Sequence, residues 1–229
     1  MNQISVIIPT YNEEGNIKKL ITHLNKITTS NVLEILVIDC GSSDKTVEIV
    51  ESLGVKAIVS DCKGRAVQMN LGAKIAKGDI LHFIHADTLP PVSCFDDVIE
   101  AIGEGYEMGC FTYKFDSNFL LLKINSYFTR WDKMWSRGGD QTLFIKRAVF
   151  EKLNGYRDDY LIMEEYELIE RAREKYNFKI IKKDAIVSAR KYKKNGYLRV
   201  QIANLLAFRM YRRGNSQEQI ANIYRRLLK

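Results

Sequence analysis

Short apolar runs alternate with amphipathic stretches through the first 90 residues, and this pattern constrains the fold more than any other feature of the chain. Apolar runs at residues 4–8, 33–38, 55–59 and 80–84 predict buried strands. Apolar side chains at helical spacing predict helices at residues 16–24, 44–53 and 65–76. Because a helix follows each of the first three strands, we expect an α/β fold with a mostly parallel sheet and helices on both faces.

The pattern changes after Pro90 and Pro91. Further helices are predicted at residues 92–102, 119–135 and 163–174, and further strands at residues 108–115, 141–145 and 179–188. Two amphipathic helices follow, at residues 197–213 and 216–228, and Ser216 with Gln219 gives the second a capping-box sequence. Because no linker or internal repeat interrupts the sequence, we expect one continuous domain followed by a helical tail.

The composition is that of a packed domain. The 229 residues are 46% hydrophobic and 28% charged, which excludes a disordered chain, a collagen and a disulfide scaffold. The four cysteines, Cys40, Cys62, Cys94 and Cys110, lack Cys-x-x-Cys spacing, so neither a zinc ribbon nor a redox dithiol is indicated. The first residues predict a strand and not a signal peptide, and no apolar run reaches about 18 residues. We therefore expect a cytoplasmic protein, with peripheral attachment at the inner face of the membrane as the alternative.

Positive charge is concentrated towards the tail. The net charge is +7, and residues 179–229 hold 14 Lys and Arg against two acids, Asp184 and Glu218. This asymmetry suggests a phosphorylated substrate, an anionic membrane surface or nucleic acid as partner, with a solvated basic helix face as the alternative. Because no recognised nucleic-acid module accompanies the charge, we expect no nucleic-acid partner.

The turns after the first two strands carry polar groups where ligands of parallel sheets bind. The first turn, residues 9–16, lacks the glycine patterns of dinucleotide-binding and P-loop proteins. Its hydroxyls and carboxylates suit a base or a ribose better than a phosphate, although they are also ordinary turn residues. Asp39 ends the second strand and could accept hydrogen bonds from a ribose or an imide N–H, whereas Asp44 is better explained as a helix N-cap.

His82 lies in the predicted fourth strand, and His85 and Asp87 follow that strand directly. On an extended chain, side chains two residues apart share a face, so His85 and Asp87 can converge while His82 points away into the core. Asp87 offers the oxygen ligand that a divalent cation bridging a diphosphate needs. His85 could be a second ligand, a hydrogen-bond partner or a structural residue.

Two later segments add polar groups. The loop from Gly138 to Gln141 is flexible and suits close approach of a substrate. Glu164, Glu165 and Glu167 open a helix; neighbouring acids in a cleft raise one pKa and help make a base. The alternative is that these acids only favour a helix N-terminus.

Together these segments resemble glycosyltransferase family 2, whose members have the GT-A fold. The matching sequences are VIIPTYNEE at residues 6–14, VID with GSSD and Thr46 at residues 37–46, and GRAVQMNLGA at residues 64–73. Within that family, residues 64–70 and the segment from His85 to Thr88 are similar to the bacterial subgroup labelled arsenosugar-biosynthesis or radical-SAM/selenodomain-associated glycosyltransferases. The resemblance implies that residues 1–195 form the GT-A domain, with residues 1–90 binding nucleotide, residues 91–195 serving acceptor and catalysis, and residues 196–229 forming a basic tail.

The resemblance also implies roles for individual residues. The nucleotide-binding residues would be Pro9, Thr10, Tyr11, Glu13, Asp39, Arg65, Gln68, Asn70, His85 and Ala86. Asp87 would bind Mg²⁺ or Mn²⁺ as the last Asp of the D-x-D motif, whose first Asp is His85 here. Glu165 would be the catalytic base, with Asp140 beside it, and Gln141, Glu164 and Arg190 would hold the acceptor or donor sugar. Met69 replaces the usual helix Arg, so Arg65 or Gln68 would take over its contacts.

The implied activity is an inverting, metal-dependent transfer of a sugar from a nucleotide-diphosphate sugar, with UDP favoured, to an acceptor hydroxyl that the sequence does not identify. A nucleotidyltransferase and a non-catalytic nucleotide-sugar-binding or membrane-associated scaffold are the alternatives. In the tail, Leu198, Ile202, Leu205 and Leu206 form an apolar stripe. We expect this stripe to pack on the sheet or in a homodimer in preference to lying on an anionic membrane.

Overall fold

A computed structural model describes residues 2–60 and 64–228, so Cys62 and its place in the cysteine pattern lie outside the described residues. The strands are β1 (Ile4–Thr10), β2 (Val32–Asp39), β3 (Lys56–Val59), β4 (Ile80–Phe83), β5 (Thr88–Leu89), β6 (Met108–Phe115), β7 (Phe144–Lys146) and β8 (Phe178–Val187). The α-helices are α1 (Glu14–Ile27), α2 (Thr46–Ser52), α3 (Arg65–Ile75), α4 (Cys94–Gly103), α5 (Leu120–Tyr127), α6 (Arg147–Lys152), α7 (Glu164–Arg173), α8 (Arg190–Asn195), α9 (Tyr197–Arg212) and α10 (Gln217–Leu227).

The described strands form a single sheet in the order β3-β2-β1-β4-β7-β6-β8-β5. The four neighbouring strands β3, β2, β1 and β4 run parallel to one another, as the alternation of strands and helices predicts. Beyond β4 the sheet is mixed, because β7 runs antiparallel to both β4 and β6, and β5 runs antiparallel to β8. Because β6 and β8 pair in parallel, four of the seven strand pairs of the described sheet are parallel, and the antiparallel pairs all involve β7 or β5.

Helices cover both faces of the sheet, as predicted. In β1, Val6 and Ile8 face the cluster that packs against α1, α2 and α4, whereas Ile7 faces the cluster that packs against α3, α6 and α7. Because successive side chains of a strand point to opposite faces, a continuous apolar run such as β1 supplies core residues to both layers.

Gly72 sets how closely α3 lies on the sheet. A β-carbon at this position would overlap the side chain of Ile7 and crowd Ile38. The absent side chain lets α3 lie close to β1 and β2.

The helix predicted over residues 119–135 is wrong in its second half. The α-helix ends at Tyr127, and 3₁₀ turns follow at Phe128–Arg130 and Met134–Ser136. The buried guanidinium of Arg137 donates from Nη2 to the carbonyl oxygens of Thr129 and Trp131, at 2.7 and 2.5 Å. These acceptors would be needed by the next turn of a continued helix, so the arginine stabilises the irregular path.

Two strands are shorter than the sequence predicts. The strand predicted over residues 141–145 begins only at Phe144, because Gly139–Gln141 is a 3₁₀ turn and Thr142 has a φ of +49°. The strand predicted over residues 80–84 ends at Phe83, so His85 and Asp87 lie in a turn closed by the hydrogen bond from the Thr88 N–H to the His85 carbonyl oxygen.

The tail forms two helices, and the predicted capping box of Ser216 and Gln219 is confirmed at the start of α10. α9 packs through the small side chains of Val200, Ala203 and Ala207. The stripe expected to pack on the sheet or in a homodimer is exposed, at Leu198, Ile202, Leu205 and Leu206, so the expectation that it packs on the sheet is wrong. Across residues 2–60 and 64–228, every helix is too short or too polar to cross a bilayer.

Candidate active site

The carboxyl ends of β1 and β2 meet where the Cα atoms of Thr10 and Asp39 pair. The Thr10 hydroxyl donates to Asp39 Oδ2 at 3.1 Å, and both residues are almost fully buried. Asp39 also accepts hydrogen bonds from the Gly41 and Ser42 N–H groups, at 2.9 and 2.7 Å, and from the Ser42 hydroxyl at 2.5 Å. Asp39 thus holds the loop after β2 in place.

These hydrogen bonds limit how Asp39 could contact a nucleotide. A fully buried carboxylate whose two oxygens already accept four hydrogen bonds contacts a base or ribose directly only if one of those donors moves away. Pro9, in β1, and Ala86, in the turn after β4, are two other residues of the predicted nucleotide site, and both are buried.

The turn after β1 presents its larger side chains to solvent and to Arg190 of α8. Tyr11 is 49% exposed. Glu13 accepts hydrogen bonds from Asn16 Nδ2 at 2.7 Å and from Arg190 Nη2 at 2.8 Å. Arg190 also lies 3.9 Å from Asp87 Oδ2, so it joins the first turn to the turn after β4.

The three residues predicted on α3 have different surroundings. The half-exposed Arg65 reaches the cluster of acids, since its Nη1 lies 3.2 Å from Glu164 Oε1. Gln68 is buried and donates to the carbonyl oxygens of Thr10 and Ile38, at 2.8 and 2.7 Å, so it braces β1 against β2.

Asn70 lies outside the cluster. Its Nδ2 donates to the Tyr156 carbonyl oxygen and to Asp158 Oδ1, and its Oδ1 accepts the Tyr156 N–H. The structure therefore brings Arg65 to the candidate site, whereas it gives Gln68 and Asn70 structural partners.

His85 is the centre of the site. Its Nε2 lies 3.1 Å from Glu165 Oε1, and its Nδ1 lies 3.6 Å from Asp140 Oδ1. One ligand atom each from His85, Asp87 and Asp140 lie within 4.8 Å of one another. Residues 85, 140 and 165 thus come from three distant parts of the chain to one place beyond the end of β4. The predicted convergence of His85 and Asp87 is confirmed, although a turn and not an extended strand produces it.

Electrostatics fix the charges of the cluster. Burial opposes protonation of His85, but hydrogen bonds with Asp140 and Glu165 outweigh it and raise the pKa of the imidazole to about 9. Burial also opposes ionisation of Asp140 and Glu165, yet the same imidazolium lowers the pKa of Asp140 to about 2 and holds the pKa of Glu165 below its usual range. At neutral pH the centre is a cation held between carboxylates.

Asp87 and Glu164 have the opposite tendency. Burial and the neighbouring charge of Asp140 raise the pKa of Asp87, and burial with the charge of Glu165 raises the pKa of Glu164 to about 7. Glu164 Oε2 is buried and has no hydrogen-bond partner among the described residues. These two carboxyl groups are therefore the ones that a cation or a hydrogen-bond donor would stabilise most.

Local structure aims both glutamates at the cluster. Met163, just before α7, has a φ of +66°, a conformation that costs a non-glycine residue roughly 1–3 kcal/mol. The helix then begins at Glu164, so the acids lie in its first turn, where the helix dipole favours negative charge.

Asp140 and Gln141 occupy the 3₁₀ turn before β7. The Asp140 side chain is 43% exposed beside the buried His85. Gln141 is 1% exposed, and neither polar atom of its side chain has a hydrogen-bond partner among the described residues. An orphaned amide next to an exposed carboxylate is suited to hydroxyl groups of a bound ligand.

The donor set fits a hard divalent cation. Mg²⁺ and Mn²⁺ are held by carboxylate oxygens, and such sites commonly use one or two protein carboxylates with the phosphates of the substrate. Asp87 and Asp140 supply these oxygens. His85 could join as a ligand only after it loses its proton, since a protonated imidazole has no free lone pair.

The sequence does not predict one contact between α8 and the tail. Lys191 donates from Nζ to the Tyr224 hydroxyl at 2.9 Å, and its positive charge helps to lower the pKa of Asp140. The tail thus supports the site through α10. No local pattern signals this contact, because its two residues lie 33 positions apart.

Comparison with known proteins identifies the family. Residues 5–161 match the profile of glycosyl transferase family 2. A dolichol-phosphate mannosyltransferase of Pyrococcus furiosus is 33% identical over 111 residues, which cover 46% of this chain and 32% of that protein. The chain thus spans about a third of the length of that curated relative.

Solved structures share the fold. Staphylococcus aureus TarS 1-349 in complex with UDP-GlcNAc has a TM-score of 0.69 at 17% identity and covers 97% of this chain and 70% of that one. The mannosyltransferase PcManGT of Pyrobaculum calidifontis, in complex with GDP-Man and Mn²⁺, has a TM-score of 0.69 at 20% identity, with coverages of 98% and 68%. The expected α/β GT-A fold is confirmed, and the profile match shows that the chain belongs to glycosyl transferase family 2.

Proposed function

We propose that this protein is an enzyme that transfers a sugar from a nucleotide-diphosphate sugar to a hydroxyl group of an acceptor. The observation that carries the proposal is the grouping of Asp87, Asp140 and Glu165 around His85, beyond the carboxyl end of β4. Ligands of open α/β sheets bind at this edge. Membership of the family and the nucleotide sugars bound by the two solved neighbours support the same chemistry.

The nucleotide would lie over the turns after β1 and β2. The exposed ring of Tyr11 offers a surface for the base, with UDP as the favoured nucleotide, and Thr10 with Asp39 shapes the floor beneath it. Arg65 contacts Glu164, and Arg190 contacts Glu13 and lies near Asp87, so both guanidinium groups border the cluster, where they would face the diphosphate.

Asp87 and Asp140 would hold Mg²⁺ or Mn²⁺ together with the phosphates of the donor. When bound, the cation neutralises negative charge on the departing nucleoside diphosphate. Burial and repulsion by Asp140 raise the pKa of Asp87. A bound cation would relieve this repulsion.

Glu165 would act as the base. His85 and burial in the first turn of α7 fix its carboxylate, and the lowered pKa keeps it ionised at neutral pH. Glu165 would accept the proton of the acceptor hydroxyl as that oxygen attacks the anomeric carbon. The bond from this carbon to the diphosphate breaks on the opposite side, so the configuration of the sugar inverts.

Gln141 and Glu164 would hold the sugar hydroxyl groups. Both carry buried polar atoms without partners among the described residues, and a hydroxyl can satisfy an amide oxygen, an amide N–H or a carboxylate. Arg190, predicted at the sugar, pairs with Glu13 in the turn after β1, and in this proposal it would face the diphosphate.

We also place the chain in the bacterial subgroup named for arsenosugar biosynthesis. The support is the sequence of residues 64–70 and of the segment from His85 to Thr88, which are similar to that subgroup. An acceptor screen with the purified enzyme tests this placement. If the enzyme transferred sugar only to acceptors that are unrelated to arsenic- or selenium-containing metabolites, this placement would lose its support.

A thermal-shift panel tests the proposed activity. The protein is heated with UDP-, GDP-, ADP- and dTDP-sugars in the presence of Mn²⁺ or Mg²⁺, and active donors are then assayed for hydrolysis and transfer. We expect one nucleotide class to raise the Tm in a metal-dependent way and its sugar to be released or transferred. Binding without turnover would indicate a scaffold, and pyrophosphate release from a nucleoside triphosphate would indicate a nucleotidyltransferase.

A further inference from the structure

In the tail helix α9, the larger apolar side chains are exposed and the smaller ones are buried. Leu198, Ile202 and Leu205 are 74%, 52% and 57% exposed, whereas the buried face consists of the smaller Val200, Ala203 and Ala207. Large apolar side chains are normally buried, because their burial stabilises the folded chain. The three side chains on this exposed stripe contribute no such stabilisation. Such a contiguous stripe indicates an interaction surface.

Helix α5 presents a second exposed apolar face. Leu120, Ile124 and Tyr127 are 67%, 46% and 58% exposed, while Leu122 and Ser126 point inward. The spacing of these exposed residues, at positions i, i+4 and i+7, places them on one side of the helix.

The two helices adjoin. The rings of Phe119, just before α5, and Tyr197, the first residue of α9, lie 5.9 Å apart in an edge-to-face contact. The Tyr192 hydroxyl accepts hydrogen bonds from Asn125 on α5 at 3.2 Å and from Gln201 on α9 at 3.5 Å. We call the combined surface the α5–α9 face: Leu120, Ile124, Tyr127, Leu198, Ile202 and Leu205.

An aromatic cluster borders this face at the end of α5. Phe128 packs against Trp131 and Trp135, with ring centroids 4.9 and 5.7 Å away. Both tryptophans are about half-exposed, and they are the only two in the chain. Half-exposed Trp and Tyr, apolar with one polar end, are the side chains enriched at membrane–water interfaces.

The charges of the face select the partner. Neither α5 nor α9 contains an acidic residue, whereas Lys123, Arg199 and Arg209 are exposed on them. In a two-fold dimer through this face, the same cations would lie against each other with no acid from these helices to neutralise them. An anionic bilayer offers both the apolar interior and the negative charge that the face lacks.

We propose that the α5–α9 face docks on an anionic lipid bilayer, with Leu198, Ile202 and Leu205 buried among the acyl chains near the headgroups and Lys123, Arg199 and Arg209 at the lipid phosphates. The protein is then a peripheral membrane protein whose attachment depends on both an apolar and an electrostatic contribution. This inference goes beyond the proposed transfer reaction and does not require it.

Co-sedimentation with vesicles tests the apolar contribution. The full chain is mixed with vesicles of phosphatidylcholine alone or of phosphatidylcholine with phosphatidylglycerol. We expect binding to the anionic vesicles, reduced about tenfold or more by the double substitution Leu198→Gln with Ile202→Gln. Val92→Gln is the matched control, because Val92 is also 74% exposed but lies before α4, and it should bind as the wild type does.

Charge substitutions and fluorescence test the remaining parts. Each of Arg199→Gln and Arg209→Gln should weaken binding about fivefold, and Lys56→Gln on β3 should leave it unchanged. Trp131 and Trp135 should shift their emission to shorter wavelength on binding anionic vesicles. Circular dichroism and thermal unfolding establish that each variant is folded, as expected for substitutions of exposed side chains.

Two results would overturn the proposal. One is wild-type binding by the folded Leu198→Gln, Ile202→Gln variant. The other is failure of the wild type to bind anionic vesicles at low ionic strength; if the same substitutions then dissociate a dimer seen by light scattering, the face belongs to a second copy of the chain. The thermal shift with nucleotide sugars should be unchanged in these variants, which separates this proposal from the proposed function.

Discussion

Two buried histidines three positions apart lie in opposite chemical surroundings. His82, on β4, is fully buried among Phe95, Phe111 and Phe144, with ring centroids 6.1 to 6.4 Å away. Burial there lowers the pKa of its imidazole to about 3, so the ring is neutral. His85, beyond the end of the same strand, is also buried, but its carboxylate neighbours raise its pKa to about 9.

The difference shows what makes a site at this edge of the sheet. Burial favours the neutral form of both rings, so burial alone does not distinguish them. The distinction comes from the end of β4 at Phe83, since the chain then turns and His85 meets Asp140 and Glu165 from distant segments. A histidine within the strand becomes part of the core, and one just past it becomes part of a charged cluster.

The largest effect is expected from Glu165→Gln on the charged side of this comparison. The amide keeps the shape of the side chain but cannot accept the proton, so turnover should fall about 10²–10⁴-fold. Nucleotide binding should be retained, because the proposed base contacts the acceptor. Steady-state transfer and donor titration measure both quantities, and wild-type turnover in this variant would dismiss Glu165 as the base.

His85→Leu should reduce stability by removing the cation that Glu165 and Asp140 share. A buried carboxylate that loses its partner costs about 3 kcal/mol of the free energy of unfolding near neutral pH. Because the folded pKa of His85 lies above the unfolded value of 6.5, its stabilisation is complete below about pH 6.5 and is lost as the pH rises through about 9.

Urea unfolding of the metal-free proteins at several pH values checks this prediction. The stability difference between wild type and His85→Leu should shrink from pH 6.5 to pH 9. A difference that grows over this range would show that the imidazole is not held as a cation.

His82→Leu should have the opposite pH signature and a smaller effect. Because the folded pKa of His82 lies below the unfolded value of 6.5, the unfolded chain takes up a proton first as the pH falls. Wild-type stability should therefore decrease with falling pH, relative to the variant, by about 1 kcal/mol per pH unit below pH 6.5. Near pH 7 the substitution should change stability by no more than about 1 kcal/mol.

Chemical unfolding at pH 7 and pH 5 measures this difference for both proteins. Equal acid sensitivity of wild type and variant would mean that His82 is protonated in the folded state as readily as in the unfolded chain.

The smallest effect is expected from Arg65→Gln. The positive charge of Arg65 lowers the pKa of His85, so its removal should raise the pKa of that imidazole further and leave the distant ring of His82 unaffected. The unfolding free energy should change by less than about 1 kcal/mol, since the Arg65 side chain is half-exposed. Imidazole NMR titration measures both rings, with Arg157→Gln as a control that removes an equally exposed arginine paired to Asp159. An unshifted His85 would place Arg65 outside the cluster.

The parallel half of the fold follows from local sequence. Apolar runs predict β1 to β4, and their alternation with helical patterns predicts the parallel order and the helices on both faces. The packing of His82 and its separation from His85 also follow from residue spacing, because these features depend on neighbouring positions along one strand.

The second half depends on contacts between distant residues. Arg137 ends the helix predicted over residues 119–135 by binding carbonyl groups that its own segment would otherwise use. The antiparallel entry of β7 depends on the turn at Thr142, and the structural partners of Asn70 lie 86 and 88 positions away. Patterns within a short window contain none of this information.

The most direct test of the candidate site is a calorimetric titration. The nucleoside diphosphate that gives the largest thermal shift is titrated, with and without Mn²⁺, into wild type, Asp87→Asn and His82→Leu. We expect Mn²⁺-dependent binding to wild type and to His82→Leu, and loss of the Mn²⁺ dependence in Asp87→Asn. Identical Mn²⁺-dependent binding to wild type and Asp87→Asn would contradict a metal site at Asp87.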